Sequence, residues 1–228
     1  TRVIAHGIGW QKRDMLSSDD LDILIEHRQM PPSEDIDEAY ETRIKHVYSA
    51  IVQFVIRARE RITGTYGENL MLYSNAGHDL VTAIKDVKHL QKNLMQFIHS
   101  DNKVIRDAYN HLRKLLAMII RKIQWAREVE DPGEAMLILD HALLQIEESS
   151  SGTADRIEPL IRNHSITAEM ATSLMTDTEY THHACRSLIS TAKTLFTGRD
   201  STPLKIDQNL ELNKEEMTDI IWKDKKET

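Results

Sequence analysis

This sequence is poor in the residues that end helices, build sheets and form disulfides. It has 8 glycines and 5 prolines among 228 residues, and aromatic residues make up 5%. Because glycine and proline punctuate turns, their scarcity predicts few, long elements, and the low aromatic content disfavours a β-sandwich. The single cysteine, Cys185, excludes an internal disulfide. Together these absences predict an all-α fold.

Long apolar runs are also missing. The longest, Leu115 to Ile120, covers six residues, whereas a helix that spans a bilayer needs about 20. No signal-peptide pattern is present, and the chain begins at Thr1 rather than at a methionine. We therefore expect the soluble part of a longer protein.

Charge is divided into blocks of opposite sign. Residues 81–127 hold ten basic and three acidic residues, residues 128–180 hold two and twelve, and residues 14–41 hold one and ten. Such blocks indicate helices that complement one another in a bundle, or a basic face for an anionic partner. Because the basic block has few interleaved aromatics and the net charge is −7, we expect no nucleic-acid partner.

Apolar residues recur at spacings of three and four, which predicts amphipathic helices. A short helix over Asp20–Arg28 ends at Pro31-Pro32. Five longer helices are predicted at 34–62, 68–99, 103–128, 134–149 and 167–197. Gly64 and Gly67 are expected to end the first of them, and Pro159 to kink or restart the chain before the last. Short connections predict antiparallel neighbours.

The apolar stripe of the first long helix is expected to face the core along its whole length. It consists of Ile36, Tyr40, Ile44, Val47, Ile51, Phe54, Val55 and Ala58. The predicted organisation is an N-terminal linker with a short helix (1–33), an antiparallel bundle (34–198) with two three-helix units, and a polar tail (199–228). Within this tail, Asn213 to Lys226 is predicted to form a short helix or a loose end.

Two Asp/Glu-x-x-His pairs, Asp86 with His89 and Glu179 with His182, have the spacing of ligands in di-iron bundles. With 11 histidines and 36 acids in the chain, chance accounts for both pairs. The helix over 103–128 also lacks the mid-helix acid that such a site needs. These pairs leave a metal-dependent helical enzyme as an alternative hypothesis.

A heptad repeat of polar residues is more informative. Asp79, Asp86 and Asn93 recur every seven residues, with His89 on the same helix face. Asp86, His89 and Asn93 are candidate ligands for a metal ion, or groups that hydrogen-bond a partner. The other interpretation is a polar seam that fixes the register of neighbouring helices.

Other reactive groups have no supporting pattern. His182 and His183 point about 100° apart on a helix, and with Cys185 they form no zinc-ligand spacing. The chain has no Gly-x-Ser-x-Gly and no glycine-rich phosphate loop. We expect no catalytic residues and no resident cofactor.

Four stretches, 43–59, 83–94, 102–113 and 166–180 followed by Leu188-Ile189, resemble the cytoplasmic PhoU-like domain of bacterial sodium/phosphate cotransporter family proteins. The similarity covers roughly residues 36–197. It implies a non-catalytic bundle of two three-helix units that follows the membrane-spanning part and regulates phosphate uptake. It also implies a place at the cytoplasmic face of the plasma (inner) membrane.

The chain departs from the related stand-alone PhoU proteins, which bind metal clusters through Glu/Asp-x-x-x-Asp motifs. Lys85 and His89 stand at the corresponding place, and a lysine cannot serve as a carboxylate ligand. The expected partners are the membrane-spanning part of the transporter, another cytoplasmic regulator, or a second copy of the chain. A stand-alone phosphate-signalling adaptor is a further alternative.

Overall fold

The structure is a computed structural model that describes residues 2–16, 20–27, 35–59, 61–62 and 64–196. All regular secondary structure in these ranges is helical, which confirms the predicted all-α fold. The predicted tail over 199–228 and the Pro31-Pro32 stop lie outside the described residues.

Ten α-helices and one π-helical turn make up this described part of the chain. They are α1 Arg2–Gly7, α2 Lys12–Leu16, α3 Leu21–His27, α4 Ile36–Ala39, the π turn Tyr40–Ile44, α5 Lys45–Arg59, α6 Thr65–Phe97, α7 Lys103–Glu128, α8 Pro132–Ser150, α9 Thr153–Arg162 and α10 Ala168–Phe196. The long helices confirm the predicted segments to within a few residues. Gly67 is an exception, because it lies inside α6 rather than at a helix end. Pro159 also lies inside a helix, the short α9, which starts after Gly152 in a left-handed conformation.

Side-chain caps explain where the central helices begin. The side-chain oxygen of Asn102 accepts hydrogen bonds from the first-turn N–H groups of α7. Asp131 does the same for α8, with Pro132 at the first helical position. These caps satisfy N–H groups that have no partner within the helix, so both starts could be predicted from the sequence.

α10 is the central helix of the bundle. It packs against α6, α7 and α8, and α7 also packs against α8. Buried residues of these helices form one continuous cluster. The expected division into two three-helix units therefore does not describe how the helices pack, because α6 makes its main contact with α10 rather than with α7, its neighbour in sequence.

The N-terminal segment is not the linker that the sequence predicted, because its described residues belong to the core. Ile4, Ile8 and Trp10 are almost completely buried. The Arg113 Nε donates to the Ile8 carbonyl oxygen at 2.8 Å, and the Gln91 side-chain amide donates to the Gly7 carbonyl oxygen at 2.9 Å. Because α1, α2 and α3 are short, they carry too little periodicity to reveal these contacts in the sequence.

The acidic block of residues 14–41 and the basic block of residues 81–127 are joined by ion pairs. Lys88 Nζ lies 2.6 Å from Asp37 Oδ1, and Lys114 pairs with Asp22. Both pairs join the acidic block to the basic one. The part of the prediction that concerns the acidic block of residues 128–180 stays a prediction.

The apolar stripe of α4 and α5 is buried only in part. Ile36 at its start is fully buried, whereas Val47 is 62% and Ile51 is 42% exposed. Within α5, Val55 is the buried residue. The prediction that the whole stripe faces the core is therefore wrong, because α5 packs on α6 and the π turn and lies away from α7, α8 and α10.

Candidate functional site

Polar side chains line the contact between α6 and α10. We call this set the polar ladder; it consists of Asp79, Asp86, His89 and Asn93 on α6 and Asp177, Tyr180, His183 and Ser190 on α10. The α6 members include all three predicted ligand candidates. The heptad repeat of the sequence thus marks the face that α6 turns towards α10.

Two rungs of the ladder show that the helices are antiparallel. Ser190 Oγ donates to Asp79 Oδ2 at 2.7 Å, and His183 Nδ1 lies 2.7 Å from Asp86 Oδ2. Residue numbers rise on α6 as they fall on α10. Because each contact is one heptad from the next, the rungs specify a single register for the two helices.

The Asp86 rung joins a buried carboxyl to an exposed imidazole. When Asp86 is ionised, its carboxylate only accepts hydrogen bonds, and the Nδ1 of His183 then carries the proton. Burial raises the pKa of Asp86 above its ordinary value, and the hydrogen bond to His183 offsets part of that rise. The rung therefore stabilises the charged form of a carboxyl that the protein interior disfavours.

The Asp177 rung connects three helices. Tyr109 of α7 donates its hydroxyl to Asp177 Oδ2 at 2.6 Å, and Asn93 Nδ2 donates to the same oxygen at 2.9 Å. Asp177 and Tyr109 are almost completely buried. Desolvation raises the pKa of the Asp177 carboxyl, and the two hydrogen bonds oppose that rise. The pKa of Tyr109 is raised by burial and by Asp177, so the hydroxyl is a donor throughout the ordinary pH range.

The remaining rung is an aromatic stack. The rings of His89 and Tyr180 lie 5.0 Å apart between centroids, with 18° between their planes. This offset contact is within the range that stabilises aromatic pairs. His89 therefore contacts α10 through the face of its ring.

Asp86, His89 and Asn93 share one side of α6, but each contacts a different residue of α10. Among the described residues, no group of three or more His, Cys, Asp or Glu side chains is placed to hold a metal ion. The proposed ligation by these three residues therefore stays a prediction. Their observed chemistry is hydrogen bonding and stacking between two helices.

The second Asp/Glu-x-x-His pair is split between surface and interior. Glu179 is exposed, whereas His182 is almost completely buried. Among the described residues, neither ring nitrogen of His182 has a hydrogen-bond partner, and burial, followed by the charge of Arg186, lowers its pKa. Cys185 is also buried, which raises its pKa and keeps it as an unreactive thiol.

Sequence reasoning missed Tyr109, Asp177 and His183 as members of the site. A signal was nevertheless present, because Asp177, His183 and Ser190 recur at steps of six and seven in α10. In α6 the corresponding step is seven throughout. Two helices with polar residues at steps close to a heptad are candidates for one interface.

None of the helices in the described ranges has the length and apolar character that a bilayer span requires. We also compared the chain with protein-family models, curated proteins and solved structures, and none of them matches it. The similarity to the PhoU-like domain therefore rests on the sequence stretches given above.

Proposed function

We propose that this chain is a non-catalytic regulatory domain that acts through its helix surfaces. The observation that supports this most directly is the polar ladder. Asp86, Asn93 and Asp177 are the groups best suited to acid–base or ligand chemistry, and each is hydrogen-bonded across a helix contact. Groups used in this way fix helix register, which favours a role through helix surfaces over catalysis.

The specific role that we propose is regulation of a sodium-dependent phosphate transporter. The domain would lie at the cytoplasmic face of the inner membrane as the soluble part of a larger protein, and it would contact the membrane-spanning part or another regulator. Support comes from the resemblance of residues 36–197 to PhoU-like domains. The exposed apolar side chains Val47 and Ile51 add a surface suited to partner contact.

The transporter role is tested by phosphate uptake. The complete reading frame that encodes this chain would be expressed with Val47→Glu and Ile51→Glu together, and sodium-dependent uptake of labelled phosphate would be compared with the unaltered protein. We expect the rate to change while expression stays the same. Met95→Glu, at an exposed apolar position on α6, is the matched control.

An unchanged uptake rate, or a reading frame that encodes no hydrophobic spans before Thr1, would remove the transporter from the proposal. Elemental analysis of protein purified without added metal tests the non-catalytic part. A stoichiometric transition metal that is lost in Asp86→Ala would replace the proposal with a metal-dependent function.

A further inference from the structure

The outward side of α5 carries an apolar strip that is not buried by the described residues. We call it the α5 stripe; it consists of Val47, Ile51, Phe54 and Ala58, at spacings of four, three and four. Val47 and Ile51 are exposed, and Phe54 and Ala58 are half-buried. The stripe extends for about 16 Å along the helix.

The outward side of α8 carries a second exposed strip of the same length, in which two leucines alternate with two polar residues. We call it the α8 stripe; it consists of Leu137, His141, Leu144 and Glu148, also at spacings of four, three and four. Leu137 is 70% and Leu144 is 56% exposed. Both leucines are large side chains, and they lie two helical turns apart on one face.

The two helices have opposite charge. α5 contains Lys45, His46, Arg57 and Arg59 and no acidic residue. α8 contains Glu134, Asp140, Glu147 and Glu148 and no lysine or arginine. Pairing α5 with α5, or α8 with α8, would bring like charges together, whereas pairing α5 with α8 brings opposite charges to the rim of an apolar contact.

We infer that the α5 stripe of one copy of this chain binds the α8 stripe of a second copy. Equal length, large exposed apolar side chains on both strips and opposite charge support this occupant. In a two-fold dimer each copy contributes both stripes, so the contact forms twice. The pairing rests on the proposed function and makes it more specific, because it identifies a second copy of the chain as the partner that binds the α5 surface.

The test is the mass of the purified full chain in solution, measured by sedimentation over a range of concentrations. We expect assemblies larger than one chain at high concentration, and dissociation on dilution. Because charges contribute to the contact, raising the salt from about 50 mM to about 500 mM should weaken the association.

Two double variants separate the stripes. Val47→Glu with Ile51→Glu alters the α5 stripe, and Leu137→Lys with Leu144→Lys alters the α8 stripe. Each variant alone should associate at least about tenfold more weakly than the unaltered chain. All four positions are exposed, so both variants should keep the helical circular dichroism of the unaltered chain.

Mixing the two variants gives the sharpest result. The α5-altered copy retains an intact α8 stripe, and the α8-altered copy retains an intact α5 stripe, so a mixed pair keeps one complete contact. We expect the mixture to associate more tightly than either variant does alone. Met95→Glu, which changes an exposed apolar side chain outside both stripes, should associate as the unaltered chain does.

A chain that stays monomeric at every concentration would overturn the pairing, and so would an α8 variant that associates normally. The second result would point to contact between two α5 helices. The association test measures mass and is therefore separate from the uptake test. If the unaltered chain were monomeric and Val47→Glu with Ile51→Glu still changed phosphate uptake, the pairing would be refuted and the proposed function would remain.

Discussion

α10 and α5 reverse the usual distribution of polar and apolar side chains. α10 buries polar residues, among them Asp177, Thr181 and His182, whereas α5 exposes Val47 and Ile51. Asp177 accepts hydrogen bonds from α6 and α7, and Thr181 donates to the backbone of its own helix, whereas the described residues give neither ring nitrogen of His182 a partner. α10 therefore specifies the register of the packed helices, whereas α5 presents an exposed apolar surface.

This contrast predicts that buried polar groups matter more for stability than the exposed apolar ones. The largest effect is expected at Arg113 of α7, a buried cation that donates to the Ile8 carbonyl oxygen and lies 5.5 Å from the Trp10 ring. Arg113→Ala should lower the free energy of unfolding by about 3 to 4 kcal/mol, because it leaves a cavity and an unpaired carbonyl. Urea unfolding measures this loss.

Arg113→Met is the matched control, because it keeps most of the volume without the hydrogen bonds. It should cost less than the alanine variant. Trp10 fluorescence should shift to longer wavelength in Arg113→Ala as the N-terminal segment loosens. An alanine variant as stable as the unaltered chain would contradict the account of residues 2–16 as part of the core.

The next effect is expected at the Asp177 rung. Asp177→Ala removes the acceptor of both Tyr109 and Asn93, so two buried donors lose their partner. We expect a loss of about 2 to 3 kcal/mol in the free energy of unfolding. Asp177→Asn keeps one acceptor oxygen and should lose less, and equal stability of the two variants would argue against the hydrogen bonds as the cause.

His182 should make stability depend on pH. Burial lowers its pKa in the folded chain, so as pH falls from about 7 towards 5 the unfolded chain takes up the proton first and stability is lost. His111 has a lowered pKa for the same reason and the same sign. The raised pKa values of Asp86 and Asp177 act in the opposite sense, since their contribution is lost as pH rises.

The comparison of the unaltered chain with His182→Leu isolates this residue. The loss of stability between pH 7 and about pH 5 should be smaller in the variant. Unfolding by urea at several pH values measures the two slopes. If the free energy of unfolding fell equally steeply with pH in both proteins, His182 would take up its proton equally well in the folded and unfolded chains.

The smallest effect is expected at the α5 stripe. Val47→Ser and Ile51→Ser, measured at concentrations where the chain is monomeric, should each change the free energy of unfolding by no more than about 0.5 kcal/mol. Leu116→Ser, at a fully buried position of α7, is the contrasting control and should cost several times more. A large loss at Val47 would mean that the stripe is covered within the chain.

Much of the fold could be predicted from the sequence. Periodicity predicted the long helices to within a few residues, because this signal is local. The heptad of Asp79, Asp86 and Asn93 indicated a polar seam for the same reason. These predictions needed no knowledge of which helices meet in space.

The rest could not be predicted, because it depends on contacts between distant segments. The heptad on α6 does not specify α10 as its partner, and Tyr109 joins the site only through the packing of a third helix. The apolar stripe identifies the apolar side of α5, but it does not identify the residues or the partner that cover this side. The helices α1 and α2 carry too few turns for an apolar pattern to form.

The most direct test of the polar ladder is a double-mutant cycle between Asn93 and Asp177, measured by urea unfolding. Asn93→Ala, Asp177→Ala and the double variant would be compared with the unaltered chain. We predict a coupling free energy of about 1 kcal/mol, because the two side chains share a hydrogen bond across the α6–α10 contact. Additive losses, with a coupling below about 0.3 kcal/mol, would contradict the claim that these polar side chains hold the two helices in register.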